Sequence, residues 1–164
     1  MDNLSNIFAR NCSIRRIDKP EAAAFMNACH RLGDTSCRYR YGMFIERHTG
    51  SSEAALPPGT LVAVSEFSNA RRWTKNGVKV SSYEWIRYAS LPGIRVTGGM
   101  GKMLRAFIDD VHPDDIMSYA DASWPDGGKV YLTLGFKEEG MVERPGFKCR
   151  KFRLKVIEQA HSRH

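Results

Sequence analysis

Residues 96–104 read Val-Thr-Gly-Gly-Met-Gly-Lys-Met-Leu, three glycines within four positions, and run straight into the amphipathic stretch Lys102–Val111. A chain carrying this junction must fold with a tight turn fused to the start of a helix over 102–111. The first turn of a helix has unpaired backbone N–H groups and a partial positive charge, and glycines let an anion approach them closely. A phosphate therefore fits the junction; a tight connection with no ligand fits it equally well, because glycine-rich turns occur in loops of every kind.

The segments around the junction decide what it is part of. Ser13–Ile17 is a short strand candidate, and a helix is expected from about Pro20 with Gly33 as its C-cap, since Ala22, Phe25, Met26 and Cys29 recur at helical spacing. Strands are expected at 39–45 and 61–68, separated by a loop over 48–59 rich in Ser, Pro and Gly. Asn76-Gly77 signals a hairpin, and a long strand follows over 81–93. Beyond the 102–111 helix come a strand near 115–122, a short helix near 127–135, and strands near 136–143 and 147–156. In the last of these the apolar parity switches from Phe147 and Cys149 to Phe152, Leu154 and Val156, which a bulge or bend would reconcile. No linker or repeat divides the 164 residues, so one domain over 1–164 is expected, of mixed α+β class.

Composition narrows the function classes. With 42% hydrophobic and 26% charged residues the chain has an ordinary globular balance, and no apolar run approaches the roughly 18 residues of a membrane span. The N-terminus lacks the basic-then-apolar order of a signal peptide, so a cytoplasmic protein with no membrane partner is expected. Cys12, Cys29, Cys37 and Cys149 show no C-x-x-C spacing; Cys29, His30 and Cys37 lack an evident fourth ligand, so reduced thiols and no metal are expected. The net charge of +7 is concentrated. From Arg144 to the end, seven Lys or Arg stand against the single Glu158, and Arg71, Arg72, Lys75 and Lys79 form a second acid-free cluster. Such clusters suit nucleic acid or a phosphorylated ligand, although a basic terminal strand also serves as a solvated edge.

Two motifs together carry a family likeness. Val96-Thr97-Gly98-Gly99-Met100-Gly101 follows a long strand and opens a helix, and Tyr131-Leu132-Thr133-Leu134-Gly135-Phe136 lies about 30 residues downstream. In that order they resemble the coenzyme turn and the Tyr-x-x-Leu-Gly-Phe element of the GNAT acyltransferase superfamily, over roughly residues 13–155. The resemblance implies a central, mostly antiparallel twisted sheet of six to seven strands with helices on both faces. It also implies acetyl-CoA as cosubstrate, cradled by Val96, Thr97, Gly98, Gly99, Met100, Gly101 and Lys102. Val96 stands where the family has Arg or Gln, and Trp124 where it often has Asn. Tyr131 is implied as the general acid toward the leaving thiolate; it reads equally as a packing residue.

A base for the acceptor amine is sought in Glu84 or Glu66, each of which also reads as a solvated or paired strand residue. His30 is a candidate at a helix end, where the dipole favours an imidazolium and a capping role competes. Asp121 either orients Tyr131 or the acceptor, or caps the turn before Pro125. Lys102 opposes the helix dipole, a conflict a bound phosphate would remove. The acceptor expected first is an amine on a small molecule or protein. The set His30–Gly33, Tyr83–Arg87, Val96–Gly99, Lys102, Tyr119–Asp121 and Trp124 looks most like a phage and mobile-element branch related to Mom-type DNA base-modification proteins. Nucleic acid is therefore the rival partner, as substrate or as the ligand of a non-catalytic binding module.

Overall fold

A computed structural model describes residues 5–47 and 56–156. Most of the loop expected over 48–59 and the terminal cations beyond Val156 lie outside the described residues. The chain divides into two compact units, Met1–Ser68 with Arg87–Asp110, and Asn69–Ile86 with Val111–His164.

The first unit holds β1 (Ser5–Phe8), a 3-10 turn (Ala9–Asn11), β2 (Cys12–Arg16), α1 (Lys19–Cys29), β3 (Tyr39–Ile45), β4 (Leu61–Phe67), β7 (Ile94–Thr97) and α2 (Gly99–Val111) up to Asp110. Asp18 caps α1 by accepting the Glu21 N–H at 3.0 Å, with Pro20 in the first turn. The helix ends at Cys29, not at Gly33 as its glycine suggested. His30 turns extended and its Nδ1 accepts the Leu32 N–H at 3.0 Å, so a side chain offers the backbone a local alternative to another helical turn. Gly33, at φ +70, shapes the turn that follows.

Both faces of β4 are covered. Val64 packs with Ala22, Phe25 and Met26 of α1, while Phe67, three residues on and thus on the opposite face, stacks on Phe107 of α2 at 3.9 Å between ring centroids and 2° between planes. Tyr39 and Tyr41 meet the Phe107 ring edge-on, and the Tyr41 hydroxyl and Arg16 Nε both donate to Asp110 Oδ2, at 2.7 and 2.9 Å. Helix α2 is thereby fixed at its C-terminal half by an aromatic box and an ion pair.

The second unit holds β5 (Arg71–Lys75), most of β6 (Val78–Ser90), β8 (Asp115–Asp121), α3 (Lys129–Thr133), β9 (Lys137–Arg144) and β10 (Phe147–Lys155). Asn76 and Gly77 both adopt positive φ, +51 and +77, as the expected two-residue hairpin requires. The sheet order is β2-β3-β4-β6-β8-β10-β9 with β5 on β6, eight strands, and β6–β8 is a parallel pair. A separate parallel pair joins β1 to β7. The sheet exceeds the six to seven strands expected because Arg71–Lys75, exposed throughout, carries no burial pattern to announce a strand.

The parity switch in β10 needs no bulge there. Its register with β8 is unbroken, so Cys149 and Phe152 face opposite sides; the irregularity lies in β9, where Glu139 is left out of the ladder beside Gly140 at φ +113. Phe152 in turn explains Gly128, where any Cβ would collide with the phenyl ring.

Replacing Phe107 with Ala should cost about 3–5 kcal/mol of unfolding free energy in urea titration, and Phe107→Leu less than half as much. Equal, small losses for both would show that the stacked ring does not hold α2.

Candidate functional site

The turn before α2 is built from the first unit alone. Parallel pairing sets Phe8 opposite Thr97, and Thr97 Oγ1 donates to Asn6 Oδ1 at 2.6 Å. Gly98 then takes φ +78, a left-handed conformation that favours glycine, and reverses the chain into the helix. The glycines at 99–101 are thus the first turn of α2, which begins three residues earlier than the amphipathic pattern indicated. Lys102 makes the first i−4 bond, its N–H donating to Gly98 O at 3.0 Å, so the N–H groups of Gly99, Met100 and Gly101 have no partner within the helix. Gly99 is buried, and a Cβ there would lie 2.5 Å from the Tyr88 hydroxyl oxygen and 3.1 Å from Val96. Close packing requires that glycine with or without a ligand.

Lys102 answers its dipole conflict from inside the protein. Its ammonium donates to the carbonyls of Ala9, at 2.9 Å, and Cys12. The side chain therefore pins the 3-10 turn to the helix, and a phosphate is not needed to balance it. Phe8, Ala9, Arg10, Thr97, Gly98 and Lys102 line a cavity of about 460 Å³ beside the free N–H groups. Arg10 is exposed there, its guanidinium 4.6 Å from the centre of the Phe8 ring. Residues 8–10 escaped the sequence reading because Ser5–Phe8 has no strand alternation and its partner lies 89 residues away in sequence, at Ile94 for Ser5.

In the second unit the β6–β8 ladder lasts three pairs and stops at Glu84 and Met117 although β8 continues. Beyond it the Ser118 hydroxyl donates to Trp85 O at 3.0 Å. Tyr131 reaches this point from α3, its ring edge-on to Trp85 and tilted on Phe136 and Phe152. Burial, then the nearby Glu84 carboxylate, push the phenol above its ordinary pKa, and the Ser118 hydroxyl pulls the other way. The phenol is protonated at neutral pH. The structure thus brings Tyr131 and Glu84 within electrostatic reach; Glu84 also pairs with Arg71 Nη2 at 3.5 Å.

The other candidates have local employment. Asp121 Oδ1 accepts the Ser123 N–H and hydroxyl at 2.9 and 2.7 Å, a turn cap. His30 is held below its ordinary pKa by burial first and by Arg87 and Arg31, so the imidazolium that the helix dipole favours does not form at neutral pH. Glu66 is fully buried. Burial, and then a side-chain hydrogen bond to Asp34, push its carboxyl up to about 8, against the opposing pull of Cys37 and Arg40. A bond between two carboxyls needs a proton on one of them, which explains why Asp34 Oδ1 and Glu66 Oε1 find no ordinary donor. A sealed carboxylic acid is no general base, and the Cys37 thiol beside it is pushed up to about 12, chiefly by burial and Glu66. Among the described residues no three His, Cys, Asp or Glu cluster as a metal site, and no helix is long and apolar enough to cross a membrane.

By sequence the chain matches no family model and no curated protein. By structure it is similar to the spermidine/spermine N-acetyltransferase SpeG from Vibrio cholerae, at TM-score 0.65 and 10% identity over 95% of this chain and 99% of that one. The NatC complex bound to Gag peptide and CoA follows at 0.60 and 15%, over 88% and 98%. The ribosomal-protein-S18-alanine N-acetyltransferase from Escherichia coli gives 0.56 and 12%, over 88% and 94%. The chain has the GNAT fold.

The Glu66 carboxyl sets a pH dependence. Its folded pKa lies above the unfolded value, so the stability it contributes is full below about 4.5 and is lost as pH rises through about 8. Urea midpoints at pH 5, 7 and 9 should decline across that window in the native protein and decline less in Glu66→Gln. Parallel declines would place the titrating group elsewhere.

Proposed function

We propose that the protein is an acyl-CoA-dependent N-acyltransferase, with acetyl-CoA as its cosubstrate. The observation that carries this reading is the start of α2. Gly98 at φ +78 turns the chain into the helix, and the N–H groups of Gly99, Met100 and Gly101, which have no partner within it, follow directly on a cavity lined by Arg10, Thr97, Gly98 and Lys102. Three N–H donors left without intrahelical partners at a helix N-terminus suit a pyrophosphate. Val96 and Thr97 lead into that cradle, and Arg10 supplies the side-chain cation that Val96 does not. Lys102 acts by anchoring the helix. When bound, the coenzyme supplies a thioester carbonyl open to attack by an amine.

The chain's own residues then handle protons. Glu84, as its carboxylate, takes the proton that the acceptor amine gives up as the N–C bond forms. Tyr131, kept protonated, supplies the proton to the thiolate released as the C–S bond breaks. No cysteine is needed as a nucleophile: the Cys37 thiol is held far from ionisation and Cys12 and Cys149 are buried. The acceptor proposed first is an amine of a small molecule or protein. A nucleic-acid base, as in the Mom-like branch, is the second reading, favoured by Arg72, Lys75 and Lys79 of the β5–β6 hairpin, which have no ion-pair partner among the described residues.

Calorimetric titration with acetyl-CoA should show saturable binding, which Arg10→Ala weakens about fivefold, the ~1 kcal/mol of an exposed charge contact. No heat and no thermal shift at millimolar ligand would contradict the reading. Thiol release measured over a panel of amines should fall by about 10²-fold or more in Tyr131→Phe with coenzyme affinity nearly intact. An unchanged rate would leave Tyr131 as a packing residue.

A further inference from the structure

The two basic clusters differ in what neutralises them. On β10, Lys148 pairs with Glu143 at 3.8 Å, Arg150 with Glu138 at 3.6 Å, Lys151 with Glu139 at 3.7 Å and Arg153 with Glu139 at 2.9 Å. The acids of β9 thus give four of the five cations of β10 an ion-pair partner, although the two strands together stay net positive. The β5–β6 hairpin has no such partner strand. Residues 69–83 contain Arg71, Arg72, Lys75 and Lys79 and no acid. Arg71 reaches Glu84, whereas Arg72, Lys75 and Lys79 make no ion pair among the described residues.

The hairpin is also built as a projecting ribbon. Strand β5 pairs with β6 from Arg71↔Ser82 to Lys75↔Val78, and β8 joins β6 only from Ser82 onward. Its base is pinned by Ser81 N–H donating to Asp114 Oδ2 at 2.7 Å and by Asp114 N–H donating to Ser81 O. Trp73 sits on this ribbon with 42% of its surface exposed, yet its orientation is fixed. The indole Nε1–H donates to Ser82 Oγ at 2.8 Å, and that hydroxyl donates to the buried Asp115 at 2.9 Å. An exposed indole held by a buried hydrogen-bond relay has been oriented at some cost in freedom without gaining a core. Alternation puts Trp73 on one face with Arg71 and Lys75, which flank the ring along the strand, and Arg72 with Lys79 on the other, where a strand that passes over the ribbon edge would meet them.

We infer that the β5–β6 ribbon is an arm that binds single-stranded nucleic acid, a base stacking on Trp73 and the phosphates meeting Arg72, Lys75 and Lys79. A fixed aromatic platform among unpaired cations is the combination that single strands require, because every base has a π-face and every nucleotide a charge. A phosphate-only or acidic-protein partner would use the cations and leave the indole without a role. The inference concerns binding alone and stands whether or not the coenzyme site is active.

The test is fluorescence anisotropy of a labelled 12-nucleotide single-stranded DNA with the full-length protein at several salt concentrations. The triple variant Arg72→Ala/Lys75→Ala/Lys79→Ala should lose at least about tenfold in affinity, and its log K against log salt slope should fall by about 2, three contacts at roughly 0.7 each. Trp73→Ala should lose at least about fivefold with the slope unchanged, the loss of one stacked base. Lys148→Ala/Arg150→Ala, which removes paired cations, should bind as the native protein does. Circular dichroism and the acetyl-CoA thermal shift, unchanged in all variants, separate failure of the ribbon from failure of the coenzyme site. Native affinity in the triple variant, no effect of Trp73→Ala, or tighter binding of duplex or polyglutamate than of the single strand would each overturn the assignment.

Discussion

Helix α2 is held at both ends by interactions of different kinds, and the placement of the candidate coenzyme turn follows from them. At its C-terminal half Phe107 stacks on Phe67, and Asp110 receives the Tyr41 hydroxyl and the Arg16 guanidinium. At its start, Gly99 lets the helix close onto Tyr88, and the Lys102 ammonium reaches back to the carbonyls of Ala9 and Cys12. These contacts leave the first-turn N–H groups no freedom to swing away, which is what preorganised anion binding requires. The parallel β1–β7 pair serves the same end by setting residues 8–10 alongside Thr97 and Gly98.

Charge is managed by burial and pairing throughout. The carboxyl of Glu66 keeps a proton because burial penalises its anion and Asp34 stands against it. Tyr131 stays protonated for the same first reason, with Glu84 as its neighbour in place of Asp34. The two acids differ in access: Glu66 is sealed, while the Glu84 side chain keeps 16% of its surface and an arginine partner. Only the second is open to solvent. On the surface, acids of β9 pair with cations of β10, and on the β5–β6 ribbon Arg72, Lys75 and Lys79 have no ion-pair partner among the described residues.

Much of this was legible in the sequence where local signals are strong. Strand 39–45 coincides with its expected span, Asn76-Gly77 forms its turn, and the strand–glycine turn–helix order led to the fold. What was missed depends on distant partners. Nothing within Ser5–Phe8 or Arg71–Lys75 advertises a strand, because one is defined by a partner far along the chain and the other buries nothing. The charge of the last strand was visible, but the acids that pair with it belong to β9, and only antiparallel register brings them together. Lys102 was read through the helix dipole alone; the two carbonyls that satisfy it come from a 3-10 turn and the start of β2. The direction of the His30 shift was likewise set first by burial and then by Arg87, 57 positions away, neither of which a helix-end argument contains.

The central claim is that the open N–H groups at the start of α2 hold the pyrophosphate of an acyl-coenzyme. Amide spectra of 15N-labelled protein titrated with acetyl-CoA read those groups one by one. The account predicts saturable shifts concentrated at Gly99, Met100 and Gly101, with Lys102 moving less because its N–H is already bonded to Gly98. Unmoved amides at 99–101, while signals elsewhere titrate or none do, would contradict it.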